Sequence, residues 1–227
     1  MATTSENAKT RSAASSSTAA RSRTAARPLA AAEAGPSPVR RRGKVLEHAI
    51  FEAVLDELVS SGYAMLSMEA VATRAQTGKA SLYRRWGSRE ALVLDALQAL
   101  LPEAGPAPDT GELRADLLEL VRRMRATMLS VPGRAGRVIM SELDHERGAP
   151  FAGLMHERVI RPGKDLLREL LVRGVVRGDV RPGAVGAPLL LDVVPAVLLY
   201  RAKMVGPPTD AEMVVLVDEV LLPMVRA

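Results

Sequence analysis

The chain has 227 residues, of which 48% are hydrophobic and 25% charged, with 31 basic side chains against 26 acidic and a net charge of +5. That length supports one or two domains with a real core, and the charge balance makes a polyanion the first partner to weigh. Cysteine is absent and the three histidines (His48, His145, His156) are far apart, which excludes disulfide scaffolds, thiolate zinc sites and cysteine nucleophiles and argues against a histidine-rich metal centre. A reducing, cytoplasmic setting fits this composition. Aromatics are only 3% of the chain, so the core has to be aliphatic.

Residues 1–42 are mainly Ala, Ser, Thr, Arg and Pro, with eight basic and two acidic side chains, a net +6 that leaves −1 for the rest. So little apolar surface cannot offset the entropy of ordering, and the segment reads as a disordered basic tail. No apolar stretch of secretory length follows its charges; its Arg/Ser-rich, acid-poor make-up only loosely imitates an organelle transit peptide. From Lys44 a helical stripe begins, with Leu46, Ile50, Val54 and Leu58 at spacing four and Phe51, Leu55 and Val59 widening it, until Gly62 ends it.

Two short helices and a longer one are expected over 68–100. The three prolines and one glycine of residues 102–108 then mark a domain boundary, separating a unit at 43–101 from one at 109–227. Asp109 is a cap candidate for a helix carrying Leu113, Leu117, Leu120, Val121, Met124 and Met128, stopped at Pro132-Gly133. A shorter helix is expected over about 135–147, and another from Pro150 to Gly178, divided at Pro162-Gly163. Ala184–Tyr200 is nearly all apolar, but it has seventeen residues with Asp192, Pro188 and Pro195 among them. A membrane span needs about 20 predominantly apolar residues, so this reads as a helix buried in a core or a subunit interface. Thr209 to Glu212 has the form of a capping box opening the last helix. Strand alternation is absent, and the fold class is all-α.

The informative stretch is Ser67–Arg89. Ser67 can cap a short helix with Val71 and Ala72; after Ala75-Gln76, Thr77 can cap a second, from Gly78 to about Arg85; Ser88 can cap a third. Two helices of about two turns joined by a tight turn form a helix-turn-helix outline. Residues 74–89 hold five basic side chains (Arg74, Lys79, Arg84, Arg85, Arg89) and no acidic one, leaving −6 for the remainder after the tail. Charge concentrated on one helix pair suits phosphate, and so does the helix start at Gly78. A solvated basic face in an ordinary α protein has the same composition, and composition alone does not separate the two readings.

Gly62-Tyr63, Leu66-Ser67-Met68-Glu69-Ala70-Val71-Ala72, Arg74-Ala75 and the run Thr77 to Leu92 (TGKASLYRRWGSREAL) resemble the DNA-binding domain of the tetracycline-repressor (TetR) family, over about residues 44–100. Against that family's common pattern of small-x-Leu-Tyr-x-His-Phe-x-x-Lys-Glu-x-Leu, this chain has Arg85 for the histidine, Trp86 for the phenylalanine and Arg89 for the lysine. Gln76 stands where a glycine usually makes the turn. The resemblance implies an N-terminal three-helix DNA-binding domain and a C-terminal helical domain for effector binding and dimerisation. It implies that the helix near Gly78 enters the major groove of double-stranded operator DNA, with Lys79 and Ser81 able to reach base edges. Tyr83 would meet a backbone phosphate; Arg84, Arg85 and Arg89 would hold phosphates, supported by Thr77 and Ser67. Trp86 is expected to be a core anchor. Arg41 and Arg42, with Arg40, stand just before the first helix and can extend the contact along phosphates or into a minor groove; a merely solubilising tail is the competing reading.

In the second half, Met124, Met128, Phe151, Met155, Asp192 and Tyr200 are the effector candidates, although methionines at helical spacing also serve as plain core. The last two helices are the natural homodimer surface. The repeated His-Glu-Arg at 145–147 and 156–158 lacks the compact spacing of a metal motif and reads as exposed polar surface. No metal, cofactor or catalytic residue is expected, and no membrane. The implied function is a repressor released from its operator by a small molecule. The alternatives are a helical small-molecule carrier or enzyme with an incidental basic helix, and an activator or architectural DNA binder without ligand control.

Overall fold

The structure, a computed structural model, describes residues 43–226; the basic tail, with Arg41 and Arg42, lies outside the described residues. Four helices open the fold: α1 (Lys44–Ser61), α2 (Met68–Arg74), α3 (Lys79–Arg85) and α4 (Arg89–Leu100). Val54, Leu55 and Leu58 of α1 are fully buried and packed against α4. The short helices start where capping chemistry permits: Ser67 accepts from the Ala70 amide at 3.1 Å and Ser88 from the Ala91 amide at 3.0 Å.

The turn between α2 and α3 is a Schellman closure. The Thr77 amide donates to the Ala72 carbonyl at 2.9 Å, and the Gln76 amide donates to the Thr73 carbonyl at 3.1 Å. Its left-handed residue is Gln76, with φ +54°, the one non-glycine at positive φ among the described residues. A side chain in that conformation costs about 1–2 kcal/mol, against roughly 0.5–1 kcal/mol for the extra unfolded freedom of glycine. Gln76→Gly should therefore stabilise the protein by up to about 1 kcal/mol, measured by urea unfolding. A net loss would show that the glutamine side chain makes an offsetting contribution.

Seven further helices follow: α5 (Leu113–Leu129), α6 (Val131–Glu142), α7 (His145–Met155), α8 (Arg161–Arg177), α9 (Pro188–Met204), α10 (Asp210–Val215) and α11 (Leu222–Val225). Several boundaries differ from the sequence expectations. Asp109 does not cap α5; it pairs with Arg173 at 3.1 Å. The buried carboxylate near this helix start is Asp116, which accepts from the Thr110 amide and hydroxyl at 2.7 and 2.8 Å. α6 begins at Val131 under a Ser130 cap, with Pro132 in its first turn, where a missing N–H is harmless.

α7 starts at His145, capped by Asp144, so Pro150 sits inside the helix rather than opening it. The break before α8 is a wide π-type stretch, His156–Ile160, closed by the Arg161 amide donating to the His156 carbonyl. It abuts Pro162, which has no N–H to continue the α ladder. A second π-type stretch, Leu216–Leu221, joins α10 to α11. The expected capping box of Thr209 and Glu212 is present, and Gly178 ends α8 in the left-handed region at φ +85°.

Two apolar cores result. One gathers α1–α4 and takes in Ala135, Ile139 and Phe151 from α6 and α7. The other is built from α5, α8, α9 and the C-terminal helices. The proline-rich stretch at 102–108 thus interrupts the chain but does not divide the cores, because α6 and α7 complete the first one. Beyond the cores, Glu142 at the end of α6 accepts from the Ala64 amide at 2.8 Å, and its carboxylate lies against Gly62, where an added Cβ would collide with it. The C-terminal segment is clipped to α5 by two paired arginine forks, Arg114 on Asp218 and Arg122 on Asp210, at 2.7–2.8 Å. Hydrogen bonding from those arginines holds both carboxyls below the usual aspartate range. Their stabilising effect is therefore full above that range and lost as pH falls below it, through the lowered folded-state values.

Candidate nucleic-acid interface

The head that α2 and α3 present is built on Leu82 and Trp86. Leu82 is fully buried; Trp86 lies edge-on to Phe51 at 5.8 Å between centroids and donates from Nε1 to Asp95 at 2.8 Å. With those two turned inward, the opposite face of α3 turns out: Lys79, Ala80, Tyr83 and Arg84 are exposed. Ser81 flanks them, half-buried. The N-cap of α3 is Gly78 in extended backbone with no side-chain cap, so the expected Thr77 cap gives way; Thr77 instead contributes its amide to the preceding turn. A Cβ added at Gly78 would meet nothing within 4 Å, so the helix start stands open.

Folding redistributes the charge that looked concentrated in the sequence. Lys79 pairs with Glu69 of α2 and lies 5.6 Å from the Tyr83 ring centroid. Arg85 pairs with Glu47 of α1 and stacks at 4.8 Å over Trp86, while Arg74 reaches Glu57 at 2.8 Å. Arg84 has no carboxylate partner among the described residues. Exposed pairs of this kind are worth about 0–1 kcal/mol, so a phosphate can take the place of the carboxylate.

Arg89 is occupied differently. Its Nη1 donates to the carbonyls of Tyr63 and Leu66 at 3.1 and 2.8 Å, and its guanidinium sits 4.4 Å over the Tyr63 ring. It ties the α1–α2 loop to the start of α4. Ser67 is likewise committed to its helix cap. The expected phosphate role of Arg89 is thus joined by a structural one: its Nη1 is taken by carbonyls from a segment distant in sequence, while its Nε and Nη2 have no protein acceptor among the described residues.

Two family models match the chain: "Bacterial regulatory proteins, tetR family" over residues 50–96, and "Tetracyclin repressor-like, C-terminal domain" over residues 107–220. The chain belongs to the TetR family of transcriptional regulators. It is 31% identical over 190 residues to an uncharacterized HTH-type transcriptional regulator of Mycobacterium tuberculosis, covering 83% of this chain and 90% of that protein. It is 30% identical to a protein of Mycobacteroides abscessus named "DNA-binding transcriptional repressor TetR", covering 82% and 96% respectively. Among solved structures, a TetR transcriptional regulator of Agrobacterium tumefaciens shares the fold at TM-score 0.63 and 18% identity, covering 81% of this chain and 95% of that one. NalD of Pseudomonas aeruginosa, described as the secondary repressor of the MexAB-OprM multidrug efflux pump, shares it at TM-score 0.55 and 17% identity, covering 81% and 98%. Regulators of the TetR family bind operator DNA and typically form dimers, and they are not enzymes. No helix among the described residues is long and apolar enough to cross a membrane.

In the regulatory half of this TetR-family chain the six effector candidates separate. Met124, Met128 and Met155 line one cleft together with Pro195 and Leu198. Phe151 is fully buried and packs edge-on against Tyr63 at 5.6 Å, so it belongs to the core of the reading head. Asp192 is held by Lys164 at 2.6 Å, and Tyr200 is 63% exposed on the outer face of α9. These three lie outside the cleft because distant partners, or solvent, claim them. The cleft residue that sequence reasoning missed is Arg137. A local signal existed: neither Arg134 nor Arg137 has an acidic residue within four positions, so neither has a helical pair to explain it.

Proposed function

We propose that this regulator is a homodimeric repressor that places α3 in the major groove of a pseudo-palindromic operator and is released when a small molecule occupies its C-terminal half. The observation that carries the reading is the outward face of α3, with Lys79, Tyr83 and Arg84 exposed together over a helix anchored by Leu82 and Trp86. Lys79 and Ser81 would read base edges, Tyr83, Arg84 and Arg85 would hold phosphates, and Gly78 with Thr77 would lie close to the backbone. Arg41 and Arg42 would extend the grip. The dimer surface is the exposed apolar face of α9 (Leu189, Tyr200 and Met204) continued by Val220 and Met224. It would set two α3 helices roughly 34–36 Å apart. A DNA partner puts the protein at work in the cytoplasm. The M. abscessus relative and NalD are both named as repressors, which favours repression over activation.

The test is binding of the full chain to the promoter DNA adjoining its own gene, followed by fluorescence anisotropy over a range of salt. Specific binding should exceed binding to scrambled DNA by about a thousandfold or more. Removing residues 1–39 and then neutralising Arg40, Arg41 and Arg42 should flatten the slope of log K against log salt by about 0.9 for each phosphate that is no longer neutralised. An unchanged slope would remove the tail from the interface.

A further inference from the structure

Arg137 is half-buried near the α5–α6 turn, where its Nη1 donates to the carbonyls of Met128 and Gly133. Its Nε–H and Nη2–H groups have no protein acceptor, and its guanidinium no carboxylate, among the described residues. Burial, with repulsion from Arg134, pushes it below the usual arginine range, so its surroundings disfavour the bare cation.

Two spaces meet at Arg137 and Leu199. The inner one, about 60 Å³, is walled by Met124, Met128, Met155, Ile160, Pro195 and Leu198. The outer one, about 450 Å³, is an open groove between α1, α6 and α9, with Arg134 and Lys203 on its rim and Val59, Met140 and Ala202 along its sides. Both are lined by cations and apolar groups, with one hydroxyl each (Ser141 outside, Thr127 inside) and no acidic side chain among the lining residues. Glycines set the methionines close to the helices: an added Cβ at Gly136 would lie 3.0 Å from the Met155 sulfur, and one at Gly163 would lie 2.9 Å from the Met124 methyl.

We propose that this double cavity binds an amphiphilic organic carboxylate, its head on Arg137, Arg134 and Lys203 and its apolar tail along the groove toward the methionines. The proposal rests on the ligand-controlled reading above and supplies its ligand class. A carboxylate matches the unused side of the guanidinium fork with two parallel hydrogen bonds, which neither a neutral nor a cationic head can offer. The inner space admits only part of a tail until methionine side chains swing aside, and methionine is the side chain best able to do so.

The test uses decanoate, below its micelle concentration, titrated into the full-chain protein carrying ¹³C-methyl methionine. Binding should shift the Met128 and Met155 methyl resonances, and decanol and decyltrimethylammonium should bind about tenfold or more weakly. Arg137→Gln should weaken decanoate about tenfold. Because Arg137 also ties down a turn, the exposed pair Arg134→Gln/Lys203→Gln serves as a second variant, expected to fold normally and bind severalfold more weakly. Equal binding of decanol, unchanged affinity in both variants, or unmoved methionine methyls would overturn the site. DNA affinity is read separately. Decanoate that binds through Arg137 without changing DNA affinity upholds the site and removes the release mechanism. DNA release by decanoate that survives Arg137→Gln upholds release and removes the site.

Discussion

Phe151→Ala should lower the thermal unfolding midpoint by roughly 10 °C, a loss of about 3–5 kcal/mol. Phe151 is fully buried, and the ring it leaves without a partner is that of Tyr63, 5.6 Å away. Removing a buried phenylalanine costs the transfer of its ring plus the cavity left behind, and the edge-on pair adds about 0.5–1.5 kcal/mol. Its position makes the effect more than local. Phe151 belongs to α7, yet it closes the core of the α1–α4 head, and Tyr63 stands in the loop leading into α2. DNA affinity should therefore fall together with stability. Phe151→Leu, which refills most of the cavity, should recover most of both. Were Phe151 an effector-pocket residue, stability would change little and ligand affinity would change most; calorimetric unfolding of the two variants separates these outcomes.

Arg89→Met has the second-largest expected effect on stability, about 2 kcal/mol. It keeps the aliphatic stem of the side chain but removes the donors that serve the carbonyls of Tyr63 and Leu66 and the cation stacked over Tyr63. Lysine is a poor replacement, since it lacks the planar guanidinium that lies over the Tyr63 ring. The variant also separates a structural arginine from a phosphate-binding one. Arg84→Ala should reduce the salt slope of DNA binding by about one while leaving stability nearly unchanged. Arg89→Met should lower the urea midpoint, and a fall in its salt slope as well would show that the free Nε and Nη2 also hold a phosphate. If Arg89→Met lowers the salt slope and leaves the urea midpoint in place, the clamp is not what holds the loop.

What the chain discloses before folding is chiefly what is settled within a few residues. The caps at Ser67, Ser88 and Thr209 and the glycine stops at Gly62 and Gly178 are local chemistry, and each is found where the sequence places it. The left-handed turn residue is legible as well: Gln76 occupies the position where a glycine is expected, and its φ is +54°. Misreadings begin where a distant partner decides. Thr77 looks like a cap, but the Schellman turn takes its amide and leaves Gly78 at the helix start. Asp109 looks like a cap, but Arg173, 64 positions on, draws it away. Phe151 looks like a pocket aromatic because nothing in its own helix shows that it crosses to Tyr63. The basic run at 74–89 reads as +5, yet Glu47, Glu57 and Glu69 arrive from α1 and α2 to pair with three of its members.

The central claim is that α3 reads DNA through its outward face. The measurement that bears on it most directly is the affinity of Lys79→Ala and Tyr83→Ala proteins for the promoter DNA adjoining the gene, compared with scrambled DNA at one salt concentration. Both positions are exposed and away from Leu82 and Trp86, so both variants should unfold at the wild-type temperature. Each should lose specific affinity by about 1–3 kcal/mol, roughly five- to 150-fold, with Lys79→Ala narrowing the gap between specific and scrambled DNA and Tyr83→Ala weakening both alike. Wild-type affinity and wild-type discrimination in both variants would contradict the claim.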